Sequence, residues 1–465
     1  MTTPNEALRT ILTVAGWGDR QVDVMFTGGA DPVVPTPFRI GAAGAATLAA
    51  AALAATELWQ VRTGRPQRVA VDLRQATAAL RSGQYMQLGD SGVSSARNTV
   101  MGFYPTRDGR WSYLHCNFPN HRAAALRVLG VPEDREAVAR AAATWNAADL
   151  EEAIIAANGA GGMARTQAEW AKHPQGVAVA AMPLMEIMRI GDSAPEPLPP
   201  GNRPLSGIRV LDLTRVLAGP TCARTLAEHG ADVLKITGAH LPSLGYQELD
   251  TGHGKLSAEL DLRAPGDLDI LRGLVRKADV FSQGYRPGTL ANRGLSPEEL
   301  AAIRPGLVYV SLNAFGHTGP WASRRGFDTV VQTVSGITIR QAECFPGDSP
   351  GPQFYPVSAI DYCTGYLMAF GAMVALARRT QEGGSWLVRI SLAQVGKWIV
   401  DLGEVPAATG VPAEFTASEL ELWSTVSETP SGRLRHLKPV VQLSETPPYW
   451  ARPAVPLGFH RPEWP

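Results

Sequence analysis

Asp361 holds the most chemically promising position in this 465-residue sequence. It follows the loop Tyr355–Ile360 and opens a long apolar stretch, which reads as a helix from about Tyr362 to Arg379. The N-terminus of a helix carries partial positive charge, so the carboxylate there is expected to stay ionised with its pKa held down. Such a group could serve as a nucleophile, although capping the helix is what most aspartates in this setting do. The second candidate is the turn Arg215-Val216-Leu217-Ala218-Gly219-Pro220. With one glycine it cannot be a G-x-G-x-x-G dinucleotide fingerprint, and with no G-K-S/T after it, it is not a P-loop. Gly89-Asp90-Ser91-Gly92 has its second glycine one place early for a hydrolase elbow and no strand before it. Cys116, Cys222, Cys344 and Cys363 show neither a C-x-x-C pair nor metal spacing with the nine histidines. No metal site is therefore expected, and the thiols read as reduced, cytosolic ones.

Strands and helices must position these residues. Ile208, Val210, Leu211 and Leu213 form an apolar run suited to a strand buried on both faces. Pro220 suits a first helical turn, Ala223, Leu226 and Ala227 give a helical stripe, and Ala231 to Ile236 reads as the next strand. This βαβ unit puts the Arg215–Pro220 turn at the carboxyl edge of a parallel sheet, where such sheets bind ligands. The alternation continues through a helix at Asp267–Lys277, a strand at Ala278–Ser282, a capping box at Ser296-Pro297-Glu298-Glu299 and strands at Leu307–Leu312 and Leu387–Leu392. The pattern is that of an α/β doubly wound, Rossmann-like domain.

Five segments follow. Residues 1–75 read as an N-terminal arm with an Ala-rich helix and a strand, and 76–194 as a smaller α+β domain. Residues 195–204, with five prolines, read as a stiff linker. Residues 205–400 form the Rossmann-like domain, and 401–465 an extended C-terminal arm. Equal numbers of basic and acidic residues, 43 each, give no general attraction to nucleic acid or an anionic membrane. Met1 to Phe26 lacks the order of a signal peptide. The run Ala42–Thr56 is shorter than the ~20 apolar residues of a membrane span, so a buried soluble helix and a cytoplasmic protein are expected. One internal echo stands out: the helix, glycine break and strand of 42–73 match those of 361–392, with V-x-V-D-L against V-R-I-S-L. The first copy opens with Gly41-Ala42-Ala43-Gly44, without an acid.

The motifs L-D-L-T-R-V-L-A-G-P, A-E-H-G-A-D-V-L-K-I, Tyr285-Arg286-Pro287-Gly288, Phe315-Gly316-His317-Thr318-Gly319-Pro320 and Gly326-Phe327-Asp328 occur in this order. Together they resemble the family III CoA transferases, the group of formyl-CoA and carnitine CoA-transferases and alpha-methylacyl-CoA racemases. The resemblance is strongest over 205–400. Residues 76–195 resemble the family's small domain, and Ser427-Glu428-Thr429-Pro430 through Glu463-Trp464-Pro465 its terminus. The small-domain material precedes the α/β domain here, whereas the family's usual order is the reverse.

The resemblance implies an acyl-CoA:carboxylate CoA transferase with Asp361 as catalytic nucleophile, working through an aspartyl anhydride and an aspartyl-CoA thioester. It implies a CoA thioester and a carboxylic acid acceptor as substrates, no permanently bound cofactor, and a homodimer, interlocked through the linker and arm. It places Arg215, Val216, Leu217 and Ala218 beside the carrier, with Tyr285, Arg286, Arg324 and Arg325 as further contacts. Two other activities stay open: an alpha-methylacyl-CoA racemase, whose histidine base would stand where Phe327 is, and a non-catalytic partner subunit of an active homologue.

Overall fold

Apolar runs buried on both faces organise the chain. The computed structural model describes residues 2–20, 22–93, 99–347, 350–406 and 410–465. The first stretch holds α1 (Pro4–Val14), β1 (Val24–Thr27), α2 (Ile40–Thr63), β2 (Val69–Asp72) and α3 (Leu73–Ala79). Then come β3 (Gln87–Leu88), β4 (Ser91–Gly92), β5 (Gly102–Pro105), β6 (Trp111–Leu114), α4 (Pro119–Leu129), α5 (Arg135–Ala142), α6 (Ala147–Ala156), β7 (Gly161–Met163), α7 (Gln167–Lys172) and α8 (Pro174–Ala181). The α/β layer has β8 (Met185–Gly191), β9 (Arg209–Leu213), α9 (Ala218–Glu228), β10 (Asp232–Thr237), α10 (Gly245–Thr251), β11 (Lys255–Glu259), α11 (Pro265–Val275), β12 (Val280–Gln283), α12 (Pro297–Ile303) and β13 (Val308–Asn313). The remainder comprises α13 (Asp328–Val334), α14 (Ile337–Cys344), α15 (Ala359–Glu382), β14 (Ser385–Ser391), α16 (Leu392–Asp401), α17 (Ala417–Trp423), β15 (Ser424–Thr429), β16 (Gly432–Leu437) and β17 (Gln442–Leu443).

The large sheet has the order β11-β10-β9-β12-β13-β14-β8, and every neighbouring pair is parallel except β14 with β8. This is a doubly wound sheet whose strand order reverses between β9 and β12, the switch point at which such folds bind ligands. β12 and β13 are buried at every position, which suits their apolar Val280, Phe281, Val308, Val310 and Leu312, and the buried Gln283 donates to Ser311 Oγ at 2.8 Å. β8 and β11 escape a reading of the sequence. β8 joins the sheet only as a distant antiparallel edge, and β11 is short and carries a buried lysine, Lys255.

A second sheet, β1-β2-β17, has parallel β1 and β2 with β17 antiparallel against β2. Between the sheets lie α2 and α15, each 24 residues long and packed on one another. The Ala-rich helix is longer than the sequence pattern marks, running from Ile40 to Thr63. Both helices are long and apolar enough to cross a membrane by composition, yet 83% and 100% of their apolar windows are buried within the protein. The alanines of α2 make it apolar all round, as befits a helix enclosed by neighbours.

The C-terminal region is more regular than an extended arm. It forms α17, a β15–β16 hairpin and β17 before running over the α/β layer. There the Tyr449 N–H donates to the Glu228 carbonyl at 3.1 Å, Trp450 Nε1 to Arg224 O at 3.1 Å and Trp464 Nε1 to Leu274 O at 3.1 Å.

Candidate functional site

The turn after β9 is held from beneath by buried charge. Lys255 on β11 donates to Asp212 Oδ2 and to the Pro220 carbonyl, both at 2.8 Å, and Lys235 on β10 donates to the Thr214 carbonyl at 3.0 Å. Burial alone would raise the Asp212 pKa, but Lys255 and Lys235 outweigh it and hold the carboxyl below its ordinary value. Above this base the turn is strained: Val216 has φ 72°, a left-handed conformation that a β-branched residue strongly resists. The turn also presses onto α15. A Cβ at Gly365 would lie 2.5 Å from the Ala218 carbonyl oxygen, so glycine is what lets the two backbones meet. Gly365 is one helical turn after Asp361.

Asp361 is 8% exposed and lies in the first turn of α15. Its backbone N–H donates to Asp328 Oδ2 at 3.0 Å, and the Ile360 N–H also serves the Asp328 carboxylate. Gln332 on α13 donates to Asp328 Oδ1. The donors of the helix terminus are thus spent on Asp328 rather than Asp361. Burial raises the Asp328 pKa to about 6 despite these bonds. For Asp361, burial first and the Asp328 charge second push the pKa well above the usual carboxylate range. The expectation that the helix terminus lowers the Asp361 pKa is therefore reversed. The pair is instead two buried carboxyls that resist double ionisation.

Asp361 sits in the lining of a cleft of about 680 Å³ at the β9/β12 switch point. Arg215, Val216, Leu217, Ala218, Tyr285, Arg286, Arg324 and Arg325 all line the same cleft, so the nine residues singled out from the sequence come together. Their bonding differs. Arg324 pairs with Glu152 and lies 3.6 Å from Glu151, while Arg325 donates to the Asn158 and Gly159 carbonyls. These two arginines fasten the 86–181 region across the cleft. Arg215 donates to the Pro242 carbonyl. Among the described residues Arg286 is exposed and makes no side-chain hydrogen bond or ion pair.

The opposite wall was not legible from residue types. Phe118, Asn120 and His121, at the start of α4, line the cleft together with Asp361 and Phe327. The His115 ring stacks on Phe327 with centroids 4.0 Å apart, and His121 meets the same ring edge-on at 5.5 Å. Burial lowers both imidazole pKa values, to about 3 for His115 and about 4 for His121, with Arg325 and Arg215 adding to the shift at His121. Both are neutral near pH 7. At the far end, beyond β11, Asp261 and Arg263 also line the cleft.

A single pattern, CoA-transferase family III, matches residues 21–194 and again 205–402. The chain belongs to CoA-transferase family III. The two matched segments of this family III protein meet at the proline-rich linker, and both contribute residues to the cleft. Two fungal relatives span most of the chain. An acetyl-coenzyme A transferase, nodX, of Hypoxylon pulicicidum is 28% identical, covering 81% of this chain and 71% of that protein. An acyl-CoA transferase of Gibberella moniliformis is 30% identical, covering 77% and 72%. An acetyl-CoA:oxalate CoA-transferase of Acetobacter aceti is 38% identical over 200 residues, covering 41% of this chain and 51% of that protein. This is an enzyme family whose substrates are CoA thioesters, so the cleft belongs to a CoA transferase fold.

Proposed function

We propose that the protein moves CoA from an acyl-CoA to a carboxylic acid through covalent catalysis by Asp361. The observation that carries this reading is a buried carboxyl placed in the wall of a switch-point cleft lined with arginines. In this reading the carrier lies along the β9–β12 edge. The Arg215–Ala218 turn and Tyr285 adjoin its adenosine and pyrophosphate, and Arg286 offers an uncommitted guanidinium to phosphate oxygens. Arg324 and Arg325 act chiefly by holding the cleft's second wall.

The chemistry is a closed cycle. An Asp361 carboxylate oxygen attacks the thioester carbonyl, the C–S bond breaks, and CoA leaves as thiolate, giving a mixed anhydride. The thiolate then attacks the Asp361 carbonyl carbon, releasing the donor acid and leaving an aspartyl-CoA thioester. The acceptor carboxylate attacks that thioester, expels the thiolate and forms a second anhydride. Thiolate attack on the acceptor's acyl carbon frees Asp361 and the new acyl-CoA. No net proton is consumed. Water would hydrolyse either anhydride, and burial of Asp361 protects against that loss.

Trapping tests this directly. Incubation with an acyl-CoA and hydroxylamine is expected to convert Asp361 to its hydroxamate, read by peptide mass spectrometry; an unmodified Asp361 peptide under turnover conditions would refute the nucleophile. A racemase would instead exchange the substrate's α-proton in heavy water without an acceptor acid. No observation favours that reading, since the position before Asp328 is Phe327. A partner subunit without activity would do neither.

The carboxyl pair sets the pH dependence. Asp361 must be ionised to attack, and burial with the Asp328 charge raises its pKa, so kcat/KM should fall with acid well above the pH where an ordinary aspartate titrates. Asp328→Asn removes the like charge and should move this acid limb to lower pH. An unshifted limb in the pH profile of that variant would show that the two carboxyls are not coupled.

A further inference from the structure

Asp361 lines the cleft, whereas its neighbour Tyr362 enters a buried polar cluster between α9, α10 and α15. The Tyr362 hydroxyl donates to Asp250 Oδ2 at 2.9 Å, the Ser82 hydroxyl donates to the same oxygen at 2.9 Å, and Arg224 Nη1 pairs with Asp250 Oδ1 at 2.9 Å. Arg224 Nη1 also donates to the Asp250 carbonyl at 3.1 Å, so this aspartate is held by side chain and backbone. All four residues are buried. Burial first and the Asp250 charge second raise the Tyr362 pKa well above its ordinary value, so the phenol keeps the proton it donates. A charged acceptor serving three donors away from water makes these bonds strong ones.

Asp250 connects the cluster with the β10 side of the cleft. It lies on α10, and the loop before that helix supplies Gly238, His240, Leu241 and Pro242 to the cleft lining. Arg215 donates to the Pro242 carbonyl. Lys235, which supports the Arg215 turn through the Thr214 carbonyl, lies 3.5 Å from Glu248 on α10, and Asp250 is two residues further on. The short helix is therefore a strut between the β9–β10 edge and the first turn of α15. The loop before α15 is fixed from the same side as Ser82, since the Ser358 N–H donates to the Leu80 carbonyl at 2.9 Å.

We infer that Tyr362 and Asp250 are positioning residues: through α10 they tie the first turn of α15, and Asp361 with it, to the β9–β10 edge, so that a carrier seated there holds the nucleophile's helix start closed. This rests on the proposed seating of the carrier. Opening the first turn of α15 breaks the Tyr362–Asp250 bond and frees α10 with the loop that adjoins the carrier. A ligand that binds only the closed arrangement suppresses that opening. Contacts made far from the reacting carbonyl thereby serve the step at Asp361.

Hydrogen exchange with free CoA as the probe tests the link without an acyl group. In the wild type, CoA at ~100 times its Kd should slow exchange of the 359–365 amides by at least ~10-fold, together with that of 238–251. Tyr362→Phe keeps the ring and removes the hydroxyl. It should bind CoA with little change in Kd and still protect 238–251, while CoA no longer slows exchange at 359–365. A tyrosine that only stabilised the fold would leave the CoA-induced slowing intact, so equal slowing in the variant overturns the inference. Tyr366→Phe removes a buried hydroxyl one turn along the same helix, outside the bonds to the Asp250 carboxylate, and should respond as the wild type does. Loss of the response there too would make it a general effect of loosening α15 and would overturn the inference. Hydroxamate formation at Asp361 from an acyl-CoA should slow about 10-fold in Tyr362→Phe with KM little changed, on the scale of a slightly misplaced reacting group; an unchanged rate would remove Tyr362 from positioning. Calorimetry separates the two kinds of failure. No CoA binding by the wild type would remove the carrier reading and the inference with it, whereas bound CoA that protects 238–251 but not 359–365 would remove the link alone.

Discussion

Asp361→Asn should lose at least ~10³-fold in kcat, the scale on which enzymes lose activity when a covalent nucleophile is removed, and should unfold at a higher temperature than the wild type. The two effects have one cause. Asp361 is buried, its carboxyl accepts no hydrogen bond among the described residues and it lies beside the Asp328 carboxylate, so its pKa in the folded protein is raised. A raised carboxyl pKa means that the native state holds its proton more tightly than the unfolded chain does. Stability from this source is complete below the unfolded pKa near ~4 and is lost as pH rises through the folded value. Asparagine has nearly the same shape and no ionisation to oppose. The gain in Tm should therefore be largest at neutral pH and vanish toward pH 4. A scan of Tm against pH with a parallel activity assay checks both parts. Full activity would dismiss Asp361 as the nucleophile, and a loss of stability at neutral pH would show that its carboxylate is structurally satisfied.

The reversal at Asp361 shows where sequence reasoning stops. Helical periodicity and the loop before it mark Asp361 as a first-turn acid, and the strand runs around Val210 and Val310 mark a parallel sheet, because both signals are local. Which carboxylate receives the helix's free N–H groups is not local: Asp328 arrives from another helix and takes them. His121 was missed for the same reason. It belongs to the matched segment 21–194, and only the fold of the loops in 205–402 brings it beside Phe327. Lys255 hid β11 because a strand that opens on a charge and reads K-L-S-A-E looks solvent-facing until Asp212 is found beneath the lysine. The internal echo was legible as a repeat. The edge strands β8 and β17 beside it were not, since they pair with partners distant in sequence.

Lys255 also carries the largest expected effect on stability. The Lys255 and Asp212 side chains are 2% and 0% exposed, and together they anchor the turn proposed as the carrier edge. Lys255→Met keeps most of the side chain's volume but leaves Asp212 as a buried charge, with Lys235 its remaining cation. Breaking one partner of such a pair costs about 3–5 kcal/mol, whereas replacing both partners by apolar groups is often neutral. Lys255→Met should therefore be destabilised by that amount in urea unfolding at pH 7, while Lys255→Met with Asp212→Leu should recover a large part of it. The sign of the pH dependence follows. Wild-type Asp212 has a depressed pKa and contributes stability above its unfolded value, which is lost as pH falls through the folded one. Without Lys255 the carboxyl titrates higher, so the variant's deficit should shrink as acid protonates Asp212. A deficit independent of pH would assign the loss to packing rather than to stranded charge. Because Lys255 also accounts for the bond to the Pro220 carbonyl, a folded Lys255→Met protein should show a raised KM for the CoA thioester even where its global stability is sufficient.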